Sequence, residues 1–203
     1  MAYDQEQLRH FYTNRGYADF KVASATAQLA PSGRYFDITF KVDEGKQYRF
    51  GEVSINSQIA ELPPAVLMPL LTFKSGDLYD ESQLQKTLDA VIYAAGTKGY
   101  AFAHFGPPVL RDPSGKPIIN VAINLDQGPQ VTIRHIVVSG TQRDTALNYI
   151  APLREGDLYD IAGIKAARER LRASGLFSNV TFTFDPAETL TIRVVEKTAQ
   201  RQL

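Results

Sequence analysis

Three histidines and one carboxylate-bearing pentapeptide are the residues of this 203-residue chain whose types could carry acid–base or metal chemistry. An imidazole titrates near neutrality and ligates metals, and two adjacent carboxyl groups can divide acid and base roles between them. The spacing argues against both. His10, His104 and His135 fall in three separate parts of the chain, with no metal-ligand spacing around any of them. Gly76, Asp77, Leu78, Tyr79 and Asp80 recur 80 residues later as Gly156, Asp157, Leu158, Tyr159 and Asp160. An active site repeated in every structural unit would be unusual. A Gly for a chain reversal, an Asp to cap the next helix, and Leu and Tyr at apolar positions account for the motif structurally. With no cysteine there is no thiolate zinc site, Fe–S cluster, disulfide or cysteine nucleophile. Neither a Gly-x-Ser-x-Gly elbow nor a phosphate-binding Gly-Lys-Ser/Thr loop is present. The chain is expected to be no enzyme and to require no metal or cofactor.

Nucleic acid is disfavoured as well. Lys plus Arg and Asp plus Glu each number 22, whereas phosphate binding calls for a clustered positive excess. Gly96-Thr97-Lys98-Gly99 has the spacing of an RNA-binding GxxG loop, but it ends a helix and leads into Tyr100-Ala101-Phe102 instead of joining two helices. Residues 129–203 alone are mildly basic, with 10 basic against 8 acidic side chains. Lys165, Arg168 and Arg172 form a helical stripe there, read either as a solvated face or as a docking surface for an acidic partner or anionic headgroups. No apolar run approaches the ~18 residues of a membrane-spanning helix.

The elements that carry these residues are set by an internal repeat. Residues 45–55 match 128–138 at an offset of 83, and Lys98-Gly99-Tyr100 answers to Ser174-Gly175-Leu176. Arg15-Gly16-Tyr17-Ala18 parallels Lys98-Gly99-Tyr100-Ala101, so a third copy is present in its back half only. Each full copy reads β-α-α-β-β. Its first strand carries Val53 and Ile55, or Ile136 and Val138, at period two. Tyr48 and Phe50, like Val131 and Ile133, sit on the opposite phase and are read as packing at the junction between units, with a bend behind them. A short helix is predicted over 64–72 and 144–151. A longer one follows, with Leu84, Leu88, Val91, Ile92 and Ala95 on one face, matched by Ile161, Ile164, Ala167 and Leu171. Gly16, Gly99 and Gly175 stand where a left-handed cap ends each helix. Hairpins are predicted over 17–29 with 35–43, 100–110 with 117–126, and 177–184 with 189–196.

This order of motifs resembles the POTRA (polypeptide-transport-associated) family. The resemblance rests on Glu44-Gly45 through Asn56, the two Gly-Asp-Leu-Tyr-Asp turns, Gly99-Tyr100, 128–140 and 174–177. It implies an α+β fold of tandem domains, each with two helices packed on a three-stranded mixed sheet. The expected boundaries are 1–45 for a truncated back half, 46–127 and 128–198 for complete domains, and 199–203 for a tail leading towards a membrane barrel. It further implies a periplasmic scaffold with chaperone-like character in outer-membrane protein assembly. Its partners would be unfolded outer-membrane proteins and accessory lipoproteins, and the parent would carry a membrane β-barrel. The alternatives are the equivalent array of a two-partner secretion transporter or a related assembly factor, and, from another class, a tandem α/β nucleic-acid module.

A three-stranded sheet has two edges, each offering unpaired N–H and C=O groups to an extended peptide. If the second hairpin strand is central, 100–110 is one edge, which makes Ala101, Phe102, Ala103, His104 and Phe105 the candidate peptide-binding strand. Aligning the copies sets Phe102 against Asp19 and Ser178. Two readings stand: an outward aromatic that binds unfolded chains, or a ring covered by the neighbouring unit.

Overall fold

The structure, a computed structural model, describes residues 2–197. The tail expected over 199–203 lies outside them. The back half-repeat contributes helix α1 (Ala2–Thr13) and the antiparallel hairpin β1 (Lys21–Leu29) and β2 (Phe36–Asp43). The middle repeat opens with β3 (Arg49–Ser57), followed by α2 (Pro64–Leu67) and a 3-10 turn (Met68–Leu70), then α3 (Glu81–Gly96). Its hairpin comprises β4 (His104–Phe105), β5 (Val109–Arg111) and β6 (Ile118–Asp126). The last repeat runs β7 (His135–Ser139), α4 (Arg143–Ile150), α5 (Ile161–Ala173), β8 (Phe177–Phe184) and β9 (Thr189–Glu196). The β-α-α-β-β order is the one the repeat predicts.

The second hairpin strand is central in both complete sheets, whose orders are β3-β6-β4 and β7-β9-β8. In the last sheet β9 pairs in parallel with β7 and antiparallel with β8, so the sheet is mixed. The strand expected over 100–110 is broken. Gly106-Pro107-Pro108 separates β4 from β5, because two consecutive prolines offer no N–H to the ladder. The first helix of the middle repeat is likewise shorter than 64–72 and tightens into a 3-10 turn at its own Pro69.

The phase break at Tyr48/Phe50 and Val131/Ile133 has a clear cause. Tyr48, Val131 and Ile133 lie ahead of the sheet strands, and they and Phe50, at the start of β3, pair through their backbones with the pentapeptide. Phe50 N donates to Asp77 O, and Gly76 N donates back to Phe50 O. Ile133 and Asp157, with Gly156, repeat the arrangement. Phe50 thereby stacks on Phe73 with ring centroids 3.9 Å apart and leans on Tyr79, closing the core of the middle repeat. The core of the last repeat gathers Val131, Ile133, Ile150, Leu171, Leu190 and Ile192, all buried.

The chain packs as two compact bodies. Among the described residues, one comprises the chain up to Asn56 with Pro63–Val91 and Phe105–Asn124; the other comprises Ser57–Leu62, Ile92–His104 and the chain from Leu125. The half-repeat belongs to the first and has, among the described residues, the two strands β1 and β2. Phe36 and Ile38 are 64% and 47% exposed there, whereas their counterparts Ile119 and Val121 are 0% and 1% exposed. No strand comparable to β7 lies beside β2 among the described residues.

Candidate functional site

Each junction between consecutive repeats lies inside one compact body, and both are assembled in the same way. A helix-ending glycine, Gly16 or Gly99, adopts positive φ and presents its carbonyl to the next repeat. Tyr48 N donates to Gly16 O at 2.7 Å, and Val131 N to Gly99 O at 2.9 Å. The Gln before each donor reaches one residue further back. Gln47 Nε2 bonds to Arg15 O at 3.0 Å, and Gln130 Nε2 bonds to Lys98 O at 2.9 Å. Tyr79 N and Tyr159 N close the set on Tyr48 O and Val131 O.

The pentapeptide acts as the plug of this joint. Asp77 Oδ2 and Asp157 Oδ2 tighten the turn by accepting Lys74 N and Arg154 N at 2.8 and 2.7 Å. Asp80 Oδ1 accepts Ser82 N at 2.9 Å, and Asp160 Oδ1 accepts Ala162 N at 2.9 Å, so both cap the following helix. Tyr79 and Tyr159 are buried, and burial pushes both phenols above their ordinary range, Tyr79 to about 12. The carboxylates of both turns are occupied by backbone amides.

The first junction also carries ions. Arg9 makes a bidentate contact to Glu81, at 2.9 and 3.2 Å, and Thr13 Oγ1 donates to the same carboxylate at 2.6 Å. Tyr48 OH donates to Asp19 Oδ2 at 2.6 Å, while Arg111 approaches Asp19 Oδ1 at 2.8 Å and lies over the Tyr48 ring. The Asp19 contact raises the Tyr48 phenol. Sequence reasoning singled out Tyr48 as a junction residue but not its partners Asp19 and Arg111, nor the Arg9–Glu81 pair, because the members of each contact lie far apart in the chain.

The candidate peptide strand is divided by the structure. Only His104 and Phe105 are in a strand, at the sheet edge; Ala101 and Phe102 form a turn, and Ala103 is buried. The Phe102 ring does not face open solvent. It is half-buried and stacks on Phe184, with centroids 5.9 Å apart. The neighbouring repeat therefore covers it. The longer open edge is β8, eight residues with no strand on its outer side among the described residues. The opposite edge is blocked: Ile136 N donates to Glu155 Oε1, and Arg143 donates to Ile136 O.

The basic stripe flanks that open edge. A groove of about 330 Å³ between α5 and β8 is floored by Tyr93, Tyr159, Phe182 and Phe184, with Lys165 and Arg168 on its walls. Lys165 Nζ sits 5.8 Å from the Tyr93 ring centroid. Arg168 Nε is buried without a hydrogen bond, 3.5 Å from Glu169. Arg172 bonds to Glu169 Oε1 and to Val180 O on β8, so one of the three cations is already committed.

The sequence pattern of one family, POTRA, described as a surface antigen variable number repeat, matches residues 1–45, 48–128 and 131–197. The chain belongs to the POTRA family. Among its relatives, the outer membrane protein assembly factor BamA of Neisseria meningitidis is 29% identical over 187 residues, covering 91% of this chain and 23% of that protein. BamA of Neorickettsia risticii is 24% identical over 182 residues, covering 89% and 24%. The chain thus spans about a quarter of the length of these relatives. A solved structure of Haemophilus influenzae BamA POTRA3-5 superposes with a TM-score of 0.84 at 24% identity, covering 96% of this chain and 80% of that one. BamA from Haemophilus ducreyi lacking POTRA domains 1-3 gives a TM-score of 0.59 at 18% identity, covering 74% and 30%. At these identities the superpositions establish the fold. In this POTRA chain the two Gly-Asp-Leu-Tyr-Asp turns are joints between repeats.

Proposed function

We propose that this chain is a periplasmic POTRA scaffold of an outer-membrane protein assembly factor whose parent carries a membrane β-barrel. It would act without catalysis, presenting sheet edges to which unfolded outer-membrane chains add as transient strands. The observation that carries this reading is the open β8 edge beside an aromatic groove, in a chain whose relatives are named outer membrane protein assembly factors. Strand addition uses main-chain hydrogen bonds and so tolerates many sequences. Each bond contributes only about 0.5–1.5 kcal/mol net of water, so a few of them hold a chain weakly enough to release it. The Lys165, Arg168 and Arg172 face would dock an accessory lipoprotein through acidic side chains. The 0.84 superposition on BamA POTRA3-5 supports a place in the later part of such an array.

Titration of an extended outer-membrane peptide into the isotopically labelled chain tests the edge. Amide signals of 177–184, with a weaker response over 104–111, are expected to shift. A response confined to helix faces would sink strand addition.

A further inference from the structure

The two junctions share one backbone scheme yet differ at three equivalent positions. Asp19 and Phe102 each stand three residues after the helix-ending glycine. Tyr48 and Val131 are the residues whose N–H groups reach that glycine's carbonyl. Arg111 and Phe184 each pair with the first fully buried residue of the central strand, Ile119 and Leu190 respectively. The first junction therefore reads Asp-Tyr-Arg, and the second reads Phe-Val-Phe.

The chemistry is matched within each set and mismatched between them. In the first, one carboxylate accepts from the Tyr48 hydroxyl at 2.6 Å and the Arg111 guanidinium at 2.8 Å, with the guanidinium centre 4.6 Å from the Tyr48 ring centroid. In the second, Phe102 stacks on Phe184 and packs against the core that holds the buried Val131. Pairing an Asp19-type surface with a Phe184-type surface sets a carboxylate against a ring with no donor. The converse pairing leaves Arg111 without its counter-ion. Either mismatch forfeits the favourable contact and leaves a charge without its counter-ion. The glycine carbonyl, the Gln contact and the leucine set against each glycine, Leu78 at Gly16 and Leu158 at Gly99, occur in both joints, so they attract without discriminating.

We propose that these three positions form a matching code that decides which repeat docks on which. A chain of homologous repeats with a common joint could otherwise pair out of order, within one chain or between two. Because the first set is ionic and half-exposed, its hold also weakens with salt, while the second set is indifferent to it.

The native chain has no cysteine, so Thr26→Cys with Lys86→Cys, both at exposed positions, gives two unique spin-label sites across the first junction. Pulsed electron-paramagnetic-resonance distances then read its order. Asp19→Phe is expected to widen the distance distribution at least about twofold by separating the half-repeat from its neighbour. Adding Tyr48→Val and Arg111→Phe transplants the second set whole and is expected to restore the original width. Raising salt from about 0.05 M to about 1 M should broaden the wild-type distribution more than that of the triple variant, which keeps only the Arg9–Glu81 pair at this junction. If Asp19→Phe does not fold, Asp19→Asn serves in its place, with a smaller widening expected. A single variant as narrow as wild type, a triple as broad as the single, or equal salt responses would each overturn the code.

Discussion

The Cδ1 atom of Leu158 lies 2.9 Å from where a Cβ on Gly99 would stand, and Leu78 Cδ1 meets Gly16 at the same 2.9 Å. Each leucine is therefore seated in a notch that only glycine leaves open, although Leu158 is still 49% exposed. Gly99 also sits at φ +89°, which an L side chain rarely adopts. Gly99→Ala is expected to destabilise the chain by about 1–3 kcal/mol in urea denaturation, part backbone strain and part displacement of Leu158. Adding Leu158→Ala should relieve the second part and leave the first. If the two changes simply add, the notch is not the contact that matters.

Features fixed by neighbours in sequence are legible in the sequence itself. Asp80 and Asp160 cap helices because a side-chain oxygen needs only the next two or three amides. The β-α-α-β-β order was legible from the repeat. What escaped depends on distant residues or on chain breaks. The turn at Phe102 owes its burial to Phe184, 82 residues away in sequence, and nothing local says which way that ring points. The break between β4 and β5 has a local signal, Gly106-Pro107-Pro108, that the strand expected over 100–110 does not take into account. Glu155 gave no local signal that it would block the β7 edge, since its target, Ile136, lies on another element.

Tyr79 gives the first body a signature at alkaline pH. Burial, and then the nearby Glu81 charge, raise its phenol to about 12. In the unfolded chain it titrates near ~10. The neutral phenol is thus favoured in the folded state. Its contribution is complete below about pH 10 and is lost as pH climbs towards the folded value. Urea midpoints measured upward from about pH 9 should fall, and Tyr79→Phe should flatten part of that fall. The remainder is shared by Tyr159, raised by burial, and by Tyr48 and Tyr12, raised by hydrogen bonds to Asp19 and Glu44. An unchanged slope in Tyr79→Phe would remove Tyr79 from this account.

Glu155 predicts the opposite pH limb. The Ile136 amide first, and the Arg143 guanidinium second, hold its carboxyl below the ordinary range. A depressed folded value means the contribution is present above about pH 4.3 and lost as pH falls through the folded value. Glu155→Gln should therefore shrink the acid-induced loss of stability. It should also weaken the guard on β7, since an amide accepts the Ile136 N–H less strongly and no longer pairs with Arg143 as an ion. Light scattering is expected to show more self-association in the variant at neutral pH. Identical acid titrations and identical scattering would assign Glu155 no part in either.

Phe102 and Phe184 offer the sharpest distinction between a structural ring and a free ligand-binding one. Their centroids are 5.9 Å apart and nearly parallel, and Tyr159 meets Phe184 at 4.8 Å. Offset aromatic pairs contribute roughly 0.5–1.5 kcal/mol beyond the area they bury. In a double-mutant cycle, Phe102→Ala and Phe184→Ala should each destabilise the second body, and the pair should show a coupling of about that size. The same Phe102→Ala change should leave peptide binding at β8 largely intact, because the edge there is made by backbone groups of another strand. Zero coupling together with lost peptide binding would instead make Phe102 a recognition residue, and the edge after Gly99-Tyr100 would return as the site of strand addition.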